Sequence, residues 1–165
     1  EENGYLQSVD VKGTDGDYEK ALPWYRWYAK IPEQEMEDNI RRNTGKDIGE
    51  LKSVEVTKRG AGDVALVLTA VGSKCTVTVE TENKIRTALA GDYDIVKQDG
   101  STRNCGKLLP SAFFTIKKEK GSYCIEGGGF GHGIGMSQTG ANEMAKQGKN
   151  YREILELFYP GVNVE

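Results

Sequence analysis

The stretch Leu22–Gly45 reads LPWYRWYAKIPEQEMEDNIRRNTG and contains the change from a strand pattern to a helix pattern. In its first part, residues alternate so that one side carries Tyr25, Trp27, Ala29 and Ile31. Such alternation is typical of a half-buried strand, here predicted over Leu22–Ile31. Pro32 then begins a helix, because acidic residues come early, basic residues come late and Gly45 follows, an order that complements the helix dipole.

Strand-like segments continue beyond this helix, at Ser53–Lys58, Val64–Val71 and Lys74–Glu80. Their connections are short and rich in turn residues, which favours an antiparallel meander. A second helix is predicted from Glu82 to Ala90, with Thr81 as its N-cap and Gly91 at its end.

The rest of the chain continues the mixture of strands and helices. Further strands are predicted at Tyr93–Lys97, Ala112–Lys118 and Ser122–Glu126. Loops are predicted at Gly100–Pro110 and over residues 1–20, the latter with a brief strand at Tyr5-Leu6. One helix is predicted over Met136–Gln147, and a last one begins with a capping box at Asn150 and Glu153 and ends just before Pro160. Irregular interspersion of this kind predicts an α+β fold, a mostly antiparallel sheet with three or four helices. We expect one domain over residues 1–165.

The segment Glu126–Ala141, EGGGFGHGIGMSQTGA, is dense in glycine and leads into a predicted helix. Glycine costs backbone entropy, so such a run indicates positive φ angles or close approach of another group. It has neither a P-loop ending nor a Gly-x-Gly-x-x-Gly register, which argues against a nucleotide site. Two interpretations remain: a ligand-binding loop at a helix N-terminus, or a strand-to-helix crossing in which the glycines only permit packing.

His132 is the single histidine of the chain and is flanked by Gly131 and Gly133. An imidazole on an open loop suits a proton donor, a proton acceptor or a ligand contact. Ser137 is placed to cap the following helix, and Gln138 could turn its amide toward a polar ligand. On residue chemistry alone, these five residues mark a candidate ligand site, with capping as the favoured role of Ser137.

Two other groups are weaker candidates. Glu126 would serve as a general acid only if it were buried, whereas glutamates at strand ends are usually exposed. Several aromatic residues could stack on sugar rings, although most are expected in the core: Trp24, Tyr25, Trp27, Tyr28, Phe130, Phe158 and Tyr159. On residue chemistry alone, no catalytic residue and no cofactor is identified.

Composition excludes several functional classes. The net charge of −3 and the pI of about 5.4 provide no electrostatic attraction to nucleic acid or to an anionic membrane. No stretch has the apolar length of a transmembrane helix. The start Glu1-Glu2-Asn3-Gly4 differs from a signal peptide, and we expect it to be a cut end, so that any export signal would have been removed.

The three cysteines, Cys75, Cys105 and Cys124, are too few and too widely spaced for a zinc site, so no metal is expected. Two redox states stay open. Either Cys105 and Cys124 form a disulfide and Cys75 is free, or all three thiols are free.

The C-terminal motifs resemble a known family. GHGIGMSQTGA at Gly131–Ala141 is followed by Met144-Ala145, Gly148, Tyr151, Ile154-Leu155 and the FYPG of Phe158–Gly161. This order and spacing is similar to the ending of the stage II sporulation protein D (SpoIID) and LytB-type family of bacterial cell-wall remodelling. Weaker similarity extends it over essentially the whole chain, at Tyr5–Val9, from Trp27 through the helix that Pro32 begins, at Arg86–Leu89 and at Leu108–Ile116.

The resemblance implies an activity and a missing part. Such domains are similar to lytic transglycosylases, in which a glutamate protonates the glycosidic oxygen of peptidoglycan. The family carries this glutamate in an upstream Ala-x-Glu-Met-Pro-like motif, and its metal-binding positions, where they exist, also lie there. Glu35-Met36 does not match the motif, because Glu37 follows it and it lies after the Tyr5-Leu6 segment.

The resemblance therefore predicts the C-terminal part of a SpoIID-like domain that binds peptidoglycan glycan strands outside the cytoplasmic membrane. It implies a substrate-binding set made of Gly131, His132, Gly133, Ser137 and Gln138. The domain would be anchored through a segment outside this chain, and this part alone would not cleave glycan. The alternative is a non-enzymatic module that binds the wall or other cell-wall and sporulation proteins, as an amidase enhancer would. A purely structural half-domain is the third interpretation.

Overall fold

The computed structural model describes residues 12–13 and 16–163. The expected brief strand at Tyr5-Leu6 lies outside these residues. Two compact units are present. The larger runs from Pro23 to His132, and the smaller combines the described residues up to Leu22 with those from Gly133 onward.

The described elements follow one another in an irregular mixture of strands and helices. In chain order they are β1 (Lys12–Gly13), β2 (Gly16–Asp17), a 3-10 turn (Pro23–Tyr25), β3 (Trp27–Pro32), α1 (Glu33–Thr44), β4 (Leu51–Arg59), a 3-10 turn (Ala61–Asp63), β5 (Ala65–Gly72), β6 (Thr76–Glu80), α2 (Glu82–Leu89), β7 (Asp94–Lys97), β8 (Thr102–Asn104), β9 (Phe114–Glu119), β10 (Ser122–Gly127), α3 (Gln138–Lys146) and α4 (Tyr151–Phe158). The sheets are antiparallel, and the predicted α+β class is confirmed.

The larger unit is built on two sheets. One has five strands in the order β8-β7-β3-β10-β9, and the other is the three-stranded meander β4-β5-β6. The meander confirms the prediction from the short turn-rich connections. Helices α1 and α2 contact each other and the sheets, and one continuous apolar core lies between these elements.

Strand β3 has the predicted alternation, with Trp27, Ala29 and Ile31 buried. It is shorter at its start than predicted, because Pro23–Tyr25 forms a 3-10 turn. The backbone N–H of Gln98 donates to the carbonyls of both Pro23 (3.2 Å) and Arg26 (2.9 Å), which fixes the turn. Pro32 precedes helix α1, and Gly45 ends it with φ of 69°.

Two local predictions are wrong. Thr81 does not cap α2 through its side chain, because its φ of 76° places it in the left-handed region. Part of the expected loop Gly100–Pro110 is strand β8, which pairs with β7. Asp99 makes this hairpin by accepting hydrogen bonds from the backbone N–H of Ser101 at 2.9 Å and from its hydroxyl at 2.6 Å.

The smaller unit contains α3 and α4, which pack around Met144, Ile154 and Phe158. Ser137 caps α3 as predicted, since its hydroxyl accepts from the N–H of Gly140 at 3.0 Å. The predicted capping box of α4 is also confirmed, with Asn150 and Glu153 each accepting from the other's backbone N–H. No helix in the described part of the chain is both long and apolar enough to cross a membrane.

Candidate functional site

The glycine segment begins as a packing feature. A side chain at Gly127 would overlap the indole ring of Trp27. A Cβ at Gly128 would lie 2.9 Å from the carbonyl oxygen of Tyr25 and 3.0 Å from Nη1 of Arg26. These two glycines therefore allow close approach, as the packing interpretation expects.

The next residues are held to the larger unit through their backbone. The N–H of Gly129 donates to the carbonyl of Trp24 at 2.8 Å, and the N–H of Gly131 donates to the carbonyl of Pro110 at 2.9 Å. That carbonyl also accepts from Nη2 of Arg86 at 3.2 Å, while Nε of the same arginine donates to Leu109 at 2.9 Å. A buried arginine thus fixes the loop on which Gly131 rests.

From Gly131 onward, backbone conformation explains the glycines better than packing does. Gly131 has φ of 151° and Gly133 has φ of 78°, both in the region that disfavours side chains. No atom lies within 4 Å of a Cβ built on Gly131. His132, between them, is exposed. The backbone therefore presents this part of the segment to solvent.

The five residues of the predicted substrate-binding set fall in both units. Gly131 and His132 end the larger unit, whereas Gly133, Ser137 and Gln138 belong to the smaller one. In the smaller unit the Ser137 hydroxyl is engaged, since it also donates to the carboxylate of Glu19 at 2.7 Å. Gln138 is exposed at the first position of α3. Binding by these residues stays a prediction.

A groove of about 480 Å³ lies on the solvent face of the five-stranded sheet. Strand register creates its floor, because cross-strand partners point to the same face. Tyr28 stands opposite Val96 on one side and Glu126 on the other, and Glu126 stands opposite Thr115. Four neighbouring strands thus contribute one row of side chains to the groove.

The walls of the groove combine aromatic and charged side chains. Tyr28 is 43% exposed and Phe113 is 38% exposed, so both present ring faces or edges to solvent. Arg26 also lines the groove, with Nη1 donating to the carbonyl of Tyr25 at 2.7 Å and its guanidinium 4.0 Å from the Tyr25 ring centroid. Lys97 and Gln98 are further polar lining residues.

Glu126 lies in the groove but is exposed, so the burial required of a general acid is not met. The carboxyl of Glu35, on α1, has its pKa raised by partial burial and further by the nearby Asp92. Glu35 is not among the residues that line the groove.

A smaller pocket of about 250 Å³ lies beside the glycine segment in the same unit. Trp24 and Phe130 form an aromatic pair there, with ring centroids 4.9 Å apart and planes at 40°. Its lining includes three basic residues, the buried Arg86 and the exposed Arg103 and Lys107.

The described cysteines are free, so of the two redox states the structure has three thiols without a disulfide. Cys75 is exposed, and Cys105 and Cys124 are partly exposed. Within residues 12–13 and 16–163, no cluster of three His, Cys, Asp or Glu side chains is arranged to hold a metal ion.

Only some of the residues that line these two cavities were predicted as candidates from the sequence. Trp24, Tyr28 and Phe130 were named as stacking aromatics. Tyr28 and Phe130 are exposed and Trp24 is partly buried, whereas Trp27 and Phe158 are buried. The involvement of Arg26, Arg103 and Phe113 was missed. The exposed side of the β3 alternation pointed to Arg26 and Tyr28, but nothing local indicated which strands would lie beside them.

Similarity to known proteins covers part of the chain at high identity. An uncharacterized protein of Brachyspira hyodysenteriae is 46% identical over 71 residues, which is 43% of this chain and 19% of the relative. The amidase enhancer of Bacillus subtilis is 48% identical over 57 residues (34% of the chain, 8% of the relative), and stage II sporulation protein D of Bacillus amyloliquefaciens is 50% identical over 56 residues (34% and 16%).

These matches show a relationship to the SpoIID family over about a third of the chain, a shorter extent than the motifs suggested. The matched stretches span less than a fifth of the length of each of these relatives. A family model described as a domain of unknown function, DUF8618, matches residues 4–135, which is most of the chain. The chain therefore belongs to the DUF8618 family and is related, over part of its length, to stage II sporulation protein D.

Proposed function

We propose that this chain is a peptidoglycan-directed part of a bacterial cell-wall remodelling protein, and that its own task is to bind glycan strands. The names of its relatives, an amidase enhancer and stage II sporulation proteins, support a role related to the cell wall. The proposed site of action is outside the cytoplasmic membrane, with any anchor supplied by other segments.

The groove on the five-stranded sheet is the observation that carries the proposal. Four neighbouring strands line it, and it combines the rings of Tyr28 and Phe113 with the charged Arg26 and Glu126. Sugar rings bind in this way, because their C–H faces pack on aromatic side chains while their hydroxyls exchange hydrogen bonds with charged and amide groups. A rigid sheet fixes the spacing of these side chains along the glycan.

We assign the glycine segment to the same function. His132 is proposed as a polar contact to glycan, with Gly131 allowing close approach of the sugar. Gln138, Gly133 and Ser137 of the smaller unit are proposed as a further contact set, in which Ser137 acts by capping α3 and so fixing the position of Gln138.

Cleavage by the parent protein is a separate proposal. A lytic transglycosylase requires a carboxyl of raised pKa beside the glycosidic bond. Glu126 in the groove is exposed, and Glu35 with its raised pKa does not line it. The described geometry therefore favours binding over cleavage, and the alternative of a non-enzymatic, amidase-enhancer-like module gains weight for the same reason.

Co-sedimentation with purified peptidoglycan sacculi tests binding. The chain should bind, and the double variant Tyr28→Ala, Phe113→Ser should bind roughly tenfold more weakly because it loses two stacking surfaces. Tyr151→Ala is the matched control, since Tyr151 is 59% exposed and belongs to the smaller unit. Equal loss in the control, or no loss in the double variant, would remove the groove from the proposal.

Two further measurements test the proposed role of His132 and the proposed lack of cleavage by this chain. His132→Ala should weaken sacculus binding without changing the circular dichroism spectrum, and unchanged binding would exclude His132. The chain alone should release no anhydro-sugar products from sacculi. Release of such products would show that it contains its own acid. If the full-length protein cleaves glycan and this chain does not, the result would favour a transglycosylase over a non-enzymatic module.

A further inference from the structure

Four strands form the sheet edges described in the larger unit, namely β8, β9, β4 and β6. Three of them are protected in the ways that native proteins use, which are short length, lysine, irregular register or a covering element. Strand β8 has only three residues. Strand β9 carries Lys117 and Lys118, and β4 has three register shifts. In addition, β4 and β9 contact each other, and Nη2 of Arg59 on β4 donates to the carbonyl of Phe114 on β9 at 2.9 Å.

Strand β6, Thr76–Glu80, lacks this protection. It pairs with β5 in regular register along all five residues, and its sequence TVTVE contains neither lysine nor proline. Its threonines and valines are among the residues that favour strands most. On its outer side it has no strand partner among the residues that the structure describes. Strand β6 is therefore an open template for the backbone of another strand.

Hydrogen bonds at both ends of the β5–β6 pair determine which backbone groups of β6 point outward. The N–H of Gly72 donates to the carbonyl of Cys75 at 3.0 Å, and the N–H of Thr81 donates to the carbonyl of Leu66 at 3.0 Å. Because hydrogen-bonded positions alternate along an antiparallel strand, the odd-numbered residues of β6 face β5. The even-numbered residues direct their N–H and C=O groups outward, and their side chains are exposed: Thr76, Thr78 and Glu80.

We propose that β6 pairs antiparallel with β6 of a second copy of this chain, about a two-fold axis at Thr78. The outward groups of Thr78 bond to those of Thr78 in the second copy, and Thr76 of each copy bonds to Glu80 of the other. Six backbone hydrogen bonds form in this way, and the two meanders β4-β5-β6 become one six-stranded sheet. Such an interface uses the same surface on both copies, as a two-fold dimer requires.

The side chains of β6 complement one another in this register. Across the axis two neutral Thr78 side chains are neighbours, and the Thr76 hydroxyl is opposite the Glu80 carboxylate, to which it can donate. On the core face, Val77 is opposite Val79 of the second copy. Both valines are 8% exposed, so pairing covers the remaining apolar surface of this edge. An axis moved to Glu80 would instead place two carboxylates opposite each other.

The residues that flank β6 also avoid repulsion. Lys74 lies four positions before the axis and Glu82 lies four positions after it, so opposite charges meet where the two copies extend beyond the strand. Each keeps its partner within the chain, since Lys74 pairs with Asp47 and Glu82 pairs with Arg86. Their contribution is the absence of like charges across the interface, which favours a second copy as the occupant of this edge.

Pairing through β6 is independent of the proposed glycan binding. None of the residues that line the groove on the five-stranded sheet lies in β4, β5 or β6. The second copy therefore leaves the groove residues unpaired with its own strand, and each proposal can fail without the other.

Sedimentation equilibrium over a range of concentrations tests the pairing. The chain should approach twice its mass of 18.2 kDa as its concentration rises. Thr78→Lys should weaken the dimer at least about tenfold, because it places two like charges at the axis. Thr57→Lys is the matched control, since Thr57 is an exposed threonine on β4 and should leave dimerisation unchanged. A chain that is monomeric at every concentration would overturn the proposal and favour an extended peptide of another protein as the occupant.

Disulfide trapping tests the register without depending on Thr78→Lys. In a Cys75→Ser background, which removes the exposed thiol beside β6, Thr78→Cys should form a linked dimer under mild oxidation. Its Cα atoms would lie about 5.5 Å apart across the axis, within disulfide reach. Thr76→Cys is the control, because each copy would lie roughly 14 Å from its counterpart. Equal trapping at both positions, or none at Thr78→Cys, would contradict the two-fold register.

Discussion

Trp27 donates its indole N–H to the carbonyl oxygen of Gly129, with Nε1 and O 3.0 Å apart, although the two residues are 102 positions apart in the sequence. The same indole fills the space that a side chain at Gly127 would need. A buried residue at the start of β3 therefore holds the start of the glycine segment through one hydrogen bond and one close packing contact.

The close contact predicts the effect of a methyl group at Gly127. Gly127→Ala should lower the free energy of unfolding by roughly 2–3 kcal/mol, because the new Cβ overlaps the rigid Trp27 ring in a packed core. Chemical denaturation measures the change. Gly100→Ala is a suitable comparison: Gly100 has φ of 80° but open space around its Cβ, so that only conformational strain of about 1 kcal/mol is expected.

A double-mutant cycle identifies the source of the Gly127→Ala effect. In a Trp27→Leu background the overlapping ring is absent, and Gly127→Ala should then cost less than about 1 kcal/mol. If the loss is the same in both backgrounds, the indole is not the group that excludes a side chain at this position.

We expect the hydrogen bonds of Arg86 to link the core to the exposed part of the glycine segment. Arg86→Lys keeps the positive charge beside Glu82 but loses the fork that reaches the carbonyls of Leu109 and Pro110. The free energy of unfolding should fall by about 2–3 kcal/mol, since two buried carbonyl oxygens lose a donor. Hydrogen exchange at the Gly131 amide should accelerate, because that amide is bonded to Pro110.

Arg152→Lys, on the exposed surface of α4, serves as the control for Arg86→Lys. It should change neither the free energy of unfolding nor the hydrogen exchange rate of the Gly131 amide. Unaltered exchange at Gly131 in Arg86→Lys would mean that Arg86 does not fix the glycine segment.

The first turn of α4 predicts a pH dependence. The hydrogen bond from Lys149, 2.8 Å from Nζ to Oε1, lowers the pKa of Glu153 below its ordinary value of 4.5, with a further contribution from the backbone N–H of Asn150. A lowered folded-state pKa stabilises the turn above the unfolded pKa, and this stabilisation is lost as pH falls through the folded pKa. Exchange protection at the start of α4 should therefore decrease below about pH 4.5.

Carboxyl NMR titration of Glu153 measures this directly. Its midpoint should lie below 4.5 and should rise in Lys149→Met, which removes the first of the two donors. A midpoint that is identical in the two proteins would show that the Lys149 hydrogen bond does not set the pKa.

The elements with local signals were predictable from the sequence. Alternation identified β3, an early acidic and late basic order identified α1, and the Asn150–Glu153 spacing identified the start of α4. Each depends on neighbours within a few positions. The capping role of Ser137 succeeded for the same reason, because the hydroxyl and the N–H of Gly140 are three residues apart.

The structural features that were not predicted from the sequence depend on contacts with distant parts of the chain. Pro23–Tyr25 is a turn because the Gln98 amide bonds to it, and β8 exists because β7 offers a partner. The groove is the clearest case, since Tyr28, Glu126 and Thr115 become neighbours only through strand register. The glycine density of the segment indicated positive φ angles or close approach of another group. Its division into a packed part and an exposed part could not be predicted, because it depends on the position of Trp27.

NMR titration of the chain with soluble peptidoglycan glycan fragments tests the central claim, glycan binding by the groove, most directly. We expect saturable shifts of the amide signals of Tyr28, Thr115 and Glu126, and a shift of the His132 amide signal in the same titration. An absence of shifts at saturating glycan, or shifts confined to the meander β4-β5-β6, would contradict it.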